Sequence, residues 1–434
     1  MKKNKKKVYL AFSSDLFIGP YKKILIKASK LGSLTVGLLT DKAISKYRTI
    51  PHLTYDQRYN QIKKFKFIDY IVPQDDSDYT KNLNILKPDY VVHGDDWVEG
   101  VQKKYRQKVI KTIKKWKGKL IEYPYDKNFS YEKYNYLNLS TGTTPVHRQS
   151  KLKRLLKIKK IIKVLEAHNP ISALIVEKTK IGKINKFDEF DAIWSSSLTD
   201  SVSRGKPDNQ SVDYSTRLSG LNEILDVTTK PVIFDADNGG RLEHLKFMIK
   251  SLDRMGISAI VMEDKVGLKK NSLFQNQTGI QQDTIKNFTK KIKICCENRF
   301  SENFLVIARI ESIILGKGVG DAVKRAISYS KAGADMIFIS NKDNHPKKVF
   351  EFSKKFRNSK FSKPLVVVPS TYSIVKEKDL IKNNINLVIY ANHLLRASYK
   401  SMVTTANEIL SNKRAFESEK SILPIKKIIS LIND

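Results

Sequence analysis

The pattern of apolar and polar positions divides the chain into two stretches, each with its own strand–helix rhythm. Up to about residue 125, short β-rich runs recur: VYLAFSS from Val8, LTVGLLTD from Leu34, YIVP from Tyr70, YVVHGDD from Tyr90 and KLIEYP from Lys119. Amphipathic segments separate them, such as YKKILIKASKLG, which ends on Gly32 as a helix stop should. Strand and helix in alternation predict a parallel sheet covered on both faces. The next stretch, YDKNFSYEKYNYLNLSTGTTPVHRQS, is rich in Asn, Ser, Thr and Pro and reads as a linker. KLKRLLKIKKIIKVLEAH then carries Leu152, Leu155, Leu156, Ile162 and Leu165 near helical spacing. Its apolar stripe is expected to dock on the following domain and its lysines to be solvated.

From about residue 170 eight apolar runs follow: ISALIVE, DAIWSSS, VIFDADNG, AIVMEDK, FLVIARIE, MIFISNK, LVVVPST and LVIYANH. Continuous Val/Ile runs without alternation suit strands buried on both faces, and the stretches between them can each hold a helix. The predicted class is α/β, a Rossmann-like sheet followed by a (β/α)8 TIM barrel. The expected division is 1–145, a linker and basic helix at 146–165, and the barrel at 166–434. Nearly every run starts apolar and ends polar. A barrel collects those ends on one face, which predicts a site from Trp194–Ser197, Asp235, Asp237, Glu263, Asp264, Lys265, Arg309, Glu311, Asn392 and His393.

Composition changes this picture only a little. At 434 residues the chain suits two or three domains, and its net charge of +36 comes from 80 Lys and Arg against 44 Asp and Glu. Such a charge can attract a polyanion. The basic residues are spread along the sequence, however, which favours a lysine-rich composition over a nucleic-acid partner. The only cysteines, Cys295 and Cys296, are adjacent and form no disulfide framework or zinc spacing. No run approaches the roughly 20 apolar residues of a membrane helix, and the apolar stretch near the N-terminus is too short for a signal peptide. The expectation is a cytoplasmic protein with no membrane partner.

The rim residues point to chemistry. Asp235 and Asp237 lie two apart at a strand end and Glu263 ends the next strand, so together they can hold one hard cation; Mg2+ prefers few carboxylates, several waters and an oxygen-rich substrate. Arg309 emerges from a barrel strand, where a phosphate or carboxylate offers it bidentate geometry. Lys269 and Asn271 lie in the long segment EDKVGLKKNSLFQNQTG, which reads as a lid over a phosphate-bearing substrate.

These residues resemble a known family. EDKVGLKKNS looks like the signature of phosphoenolpyruvate mutases in the isocitrate lyase superfamily, and Trp194–Leu198, Asp208, Asp235–Asp237, ARIE at Arg309 and YANHLLRA after Tyr390 match as well. Lyases of that superfamily carry a Lys-(Lys/Arg)-Cys-Gly-His loop, and no Cys-Gly-His occurs here. The resemblance implies Mg2+-dependent isomerisation of phosphoenolpyruvate to 3-phosphonopyruvate, the C–P bond-forming step of phosphonate biosynthesis. It implies metal contacts from Asp235, Asp237 and Glu263, and catalytic roles for Asp208, Lys269, Asn271 and Arg309. Trp194, Ser196, Ser197, Leu198, Ser272 and Ser340 are implied to meet the substrate. The assembly it implies is a homotetramer joined partly by C-terminal helices. One position departs: the family carries a histidine facing the phosphoryl group after the sixth strand, where this chain has Ser340. Phosphonopyruvate hydrolase, or another non-lyase member, is the alternative, and a non-catalytic basic binding protein is the second.

The front half resembles the cytidylyltransferases, through VYLAFSSDL, LTVGLLTDKAI, TYDQR around Arg58 and KPDYVVHGDDW ending at Trp97. Their His-x-Gly-His motif, whose imidazoles stabilise a reacting triphosphate, is replaced by Ile18-Gly19-Pro20-Tyr21, and their late Ser-Ser-Thr by Phe129-Ser130-Tyr131-Glu132. Residues 1–145 are therefore expected to keep the fold without nucleotidyl transfer.

Overall fold

The computed structural model describes residues 5–15, 19–46, 49–98, 102–124, 143–183, 186–267, 269–273 and 279–431. Five strands, β1 (Lys7–Phe12), β2 (Ser33–Leu39), β3 (Tyr70–Gln74), β4 (Tyr90–Gly94) and β5 (Lys119–Tyr123), pair in parallel in the order β3-β2-β1-β4-β5. Each coincides with a run expected from the sequence. Two apolar clusters, one on either face, cover the sheet; Tyr9 and Val91 belong to one, Leu10 and Val36 to the other. Most of the expected linker, residues 125–142, lies outside the described residues, as do Ile18 and Phe129–Glu132.

The second sheet closes on itself. Its strands are β6 (Ile162–Glu166), β9 (Ala192–Ser195), β10 (Val232–Asp235), β11 (Ala259–Glu263), β14 (Leu305–Ile310), β15 (Met336–Ile339), β16 (Leu365–Val367) and β17 (Leu387–Tyr390), all parallel, with β17 pairing back to β6. Two antiparallel ribbons stand outside the barrel: β7 (Lys180–Lys183) with β8 (Lys186–Glu189), and β12 (Lys265–Val266) with β13 (Gln281–Gln282).

The barrel begins earlier than expected. The segment 146–165 is not linker and basic helix alone; it joins the helix Pro145–Ile158 to most of β6, so the barrel starts at Ile162 and not at 166. ISALIVE, expected as the first strand, is the helix Pro170–Lys178. Its start explains the difference. Asn169 caps the helix by accepting from the Ser172 N–H at 2.9 Å, and Pro170 supplies a φ already suited to the first turn.

Alternate side chains of the barrel strands point inward. Ile162, Val164, Trp194, Ile233, Val261, Ile307, Phe338 and Ile389 fill one interior cluster, which also takes in Leu152 and Leu155 of the helix Pro145–Ile158 and Ile50 of the front domain. That helix lies across the strand starts: Arg148 donates to the Leu225 and Met255 carbonyls, Gln149 to that of Ile257 and Lys151 to that of Thr229. It plugs the barrel floor. Lys151, expected to be solvated, is 3% exposed. On its other side Arg154 binds Asp41 and the carbonyls of His52 and Leu53, tying the front domain to the plug. The floor is closed, so the strand-end face is left for a ligand.

Candidate active site

The strand-end face holds a cavity that opens to solvent. Trp194, Ser196, Ser197, Leu198, Asp208, Asp235, Glu263, Lys269, Asn271, Ser272, Arg309 and Ser340 all line it. Asn392 lines it too, whereas Ser195, Asp237, Asp264, Lys265, Glu311 and His393, also expected at the site, are not in the wall. Sequence reasoning did not single out Phe338, Asn341, Val368 or Ser370, which also line the cavity. Asn341 and Ser370 stand just beyond strand ends, so the rule that found Asp235 would have reached them.

The acidic side is held from beneath. The Ser197 hydroxyl donates to Asp235 Oδ2 at 2.9 Å, and the Asp237 N–H donates to Asp235 Oδ1 at 3.2 Å. Asp237 takes φ of 52°, a left-handed backbone that costs a non-glycine residue about 1 kcal/mol or more. Arg217 stabilises this turn. Its guanidinium donates to the Asp235 carbonyl at 2.6 Å, lies 3.7 Å from Asp237 Oδ2 and pairs with Asp200. Arg217 sits mid-helix in Tyr214–Asp226, where nothing in the sequence marks it as part of the site.

The lid residues lean onto the acids. Lys269 donates to Asp208 Oδ1 at 2.7 Å, and also reaches Asp237 and the Ser197 hydroxyl; Asn271 Nδ2 donates to Asp208 Oδ2 at 2.6 Å. Burial alone would lower the Lys269 pKa, but Asp237, Asp235, Asp208 and Glu263 outweigh it and hold the ammonium charged. Burial likewise pushes Asp235 up, and Lys269, Arg309 and Arg217 bring it below the ordinary carboxylate range. Burial raises Glu263 to about 7, with Glu311 adding to the effect and Arg309 and Lys265 opposing it.

Arg309 and Glu311, two apart on β14, form a second centre. Arg309 Nε donates to Glu311 Oε1 at 2.7 Å and to the Ser340 hydroxyl at 3.0 Å, while Nη2 reaches Ser272 at 2.9 Å and Glu263 at 3.3 Å. Ser340 in turn donates to Glu311 Oε1 at 2.5 Å. Burial opposes ionisation of Glu311, but Arg309 and Lys265 hold it at about 2.

Whether the acids suit a divalent cation is tested by what stands among them. Among the described residues no three acidic, histidine or cysteine side chains are gathered as a metal site. The Lys269 ammonium occupies the space between Asp208 and Asp237 instead. A positive charge is thus already stabilised there by hard carboxylate oxygens, which is the donor chemistry Mg2+ takes. The donor atoms therefore suit a hard cation by their chemistry.

Polar and charged side chains gathered at the strand ends of a parallel barrel are the arrangement of a barrel enzyme's active site. The chain belongs to the phosphoenolpyruvate phosphomutase family, whose sequence profile matches residues 152–410. A cytidylyltransferase-like profile matches 22–178; the two overlap across 152–178, where strand pairing puts β6 in the barrel. The chain is 31% identical over 296 residues to the phosphoenolpyruvate phosphomutase of Tetrahymena pyriformis, covering 68% of this chain and 94% of that one. It is also 31% identical over 279 residues to the phosphonopyruvate hydrolase of Variovorax sp. (strain Pal2), covering 63% and 91%. A crystal structure of phosphonopyruvate hydrolase in complex with oxalate and Mg2+ superposes with a TM-score of 0.58 at 30% identity, covering 65% of this chain and 94% of that one. No described helix is long and apolar enough to cross a membrane.

Proposed function

We propose that the chain isomerises phosphoenolpyruvate to 3-phosphonopyruvate with Mg2+. The observation that carries this reading is the convergence of Lys269 and Asn271 from the lid on Asp208, in a cavity that Arg309 also lines. A phosphoryl group in transit needs positioning and charge neutralisation more than covalent chemistry, and these residues supply both. The P–O bond to the enol oxygen breaks, leaving pyruvate enolate, and C3 of the enolate then bonds to phosphorus; no atom is gained or lost. Arg309, Lys269 and Asn271 hold the phosphoryl group while it moves, and Asp208 faces it as nucleophile or guiding carboxylate. Trp194 walls the pocket, and the lid keeps water from intercepting the group. Asp235, Asp237 and Glu263 would hold Mg2+, whose charge stabilises the enolate when it is bound; the relative solved with oxalate and Mg2+ supports this choice of ion.

The front domain, by this reading, transfers no nucleotide. A helix starts at Gly19, where cytidylyltransferases carry their histidines, and neither histidine is present.

Incubating the full chain with phosphonopyruvate and Mg2+ and following phosphorus by NMR tests the proposal. Phosphoenolpyruvate is the expected product, Asp208→Ala should slow its formation by about two orders of magnitude, and added CTP should release no pyrophosphate. Inorganic phosphate with pyruvate would instead establish the hydrolase. Asn271 in the lid favours the mutase over that second reading, and the uncharged Ser340 in place of the family's histidine loosens the preference.

A further inference from the structure

We propose that Lys265 is a positioning residue that seats the lid, acting through Ser272 and the buried carboxylate of Glu311. Lys265 begins β12, the first arm of the ribbon that carries the lid, and it is 4% exposed. Its ammonium donates to the Lys270 carbonyl at 3.0 Å and to the Ser272 hydroxyl at 2.9 Å, and so grips the chain on both sides of Asn271. From the barrel it is held by Glu263 Oε1 at 3.3 Å and Glu311 Oε2 at 3.6 Å.

Ser272 is where the lid meets the barrel. It accepts from Lys265 and from Arg309 Nη2 at 2.9 Å, and donates to Glu311 Oε2 at 2.7 Å. All three partners are buried or nearly so, and each is hydrogen-bonded to the serine hydroxyl. Lys269 and Asn271 lie three residues and one residue before that anchor. Their reach to Asp208 depends on it. Lys265 itself does not line the cavity.

This inference rests on the reading of Lys269 and Asn271 as the groups that meet the substrate, but its test needs no substrate. Hydrogen exchange of the backbone amides of residues 269–273 is compared in full-length wild type, Ser272→Ala, Ser272→Thr and Lys265→Met without ligand. Loss of a hydrogen bond to a charged group should make the segment exchange about tenfold faster in Ser272→Ala, with the melting temperature held and the wild-type rate restored in Ser272→Thr. Lys265→Met should match Ser272→Ala; if it does not fold, the serine pair decides alone. Exchange within about twofold of wild type in Ser272→Ala would overturn the proposal. A wild-type rate in a folded Lys265→Met would do the same. In turnover, Lys265→Met, at a position that does not line the cavity, is expected to lose kcat with little change in KM. A failure of the mutase reading would alter the products in the phosphorus assay and leave the exchange rates as stated.

Discussion

Ser340 illustrates how one residue changes meaning between sequence and structure. In the sequence it is a missing histidine, an uncharged side chain where a charged one is expected. In the fold its hydroxyl is fully engaged, donating to Glu311 and accepting from Arg309 Nε. An imidazole there would have to displace one of them. Ser340→His is therefore expected to lower kcat/KM by about tenfold or more, because it turns the Arg309 fork out of line, whereas Ser340→Ala should cost only a few-fold. Rising activity in Ser340→His would mean that the serine is a decayed histidine and the network around it incidental. Residue identity at the strand ends was legible in advance: the positions of Asp235, Glu263, Lys265, Arg309 and Glu311 followed from where apolar runs stop. Arg217 was not legible. It reaches the Asp235–Asp237 turn from the middle of a helix, and helical spacing carries no trace of such a contact.

The elements were read well where side-chain period and length agree, and badly where a short apolar run suits either state. All five strands of the front sheet appear where alternation with helices placed them. ISALIVE failed because its seven apolar-rich residues have no period of their own, and the cap at Asn169 and Pro170 decided for helix. IIKVLE failed in the opposite sense: joined to a basic amphipathic helix, it was absorbed into the helical pattern until the barrel required a strand between β17 and β9. One element has an apolar side left over. The helix His393–Asn412 exposes Tyr399, Met402, Val403 and Leu410 to solvent. An exposed apolar stripe of this kind marks an interface, and we propose that a second copy of the chain covers it, within a homotetramer. Met402→Asp with Leu410→Asp should shift light scattering coupled to size exclusion from the assembled species to a smaller one. An unchanged mass would place the interface elsewhere.

At the scale of the whole molecule, the junction between the domains holds a buried charge. Burial pushes the Lys151 ammonium down to about 8 from an ordinary 10.5, against the attraction of Glu177. Between those values the unfolded chain binds more protons at this residue than the folded one, so its contribution to stability rises with pH across the window and is flat below it. Comparing urea unfolding at pH 7 and about pH 9.5 in wild type and Lys151→Met isolates the residue: the change with pH should favour wild type relative to the variant. Equal pH dependence would show that Lys151 is not the buried cation described. The net charge of +36 takes its place here too. Some of the cations behind it are neutralised inside the fold: carboxylates pair with Arg309 and Lys269 at the rim and with Arg154 at the junction.

The plug at the barrel floor makes one domain's stability depend on the other. Leu152 and Leu155 close the interior from one side of a helix whose Arg154 is fastened to the front domain, and Ile50 of that domain enters the same cluster. Deleting the front domain would strip a neighbour's core of its cover. The front domain is thus a buttress of the barrel whatever it binds, and the barrel freed of it is expected to unfold at lower urea than the full chain.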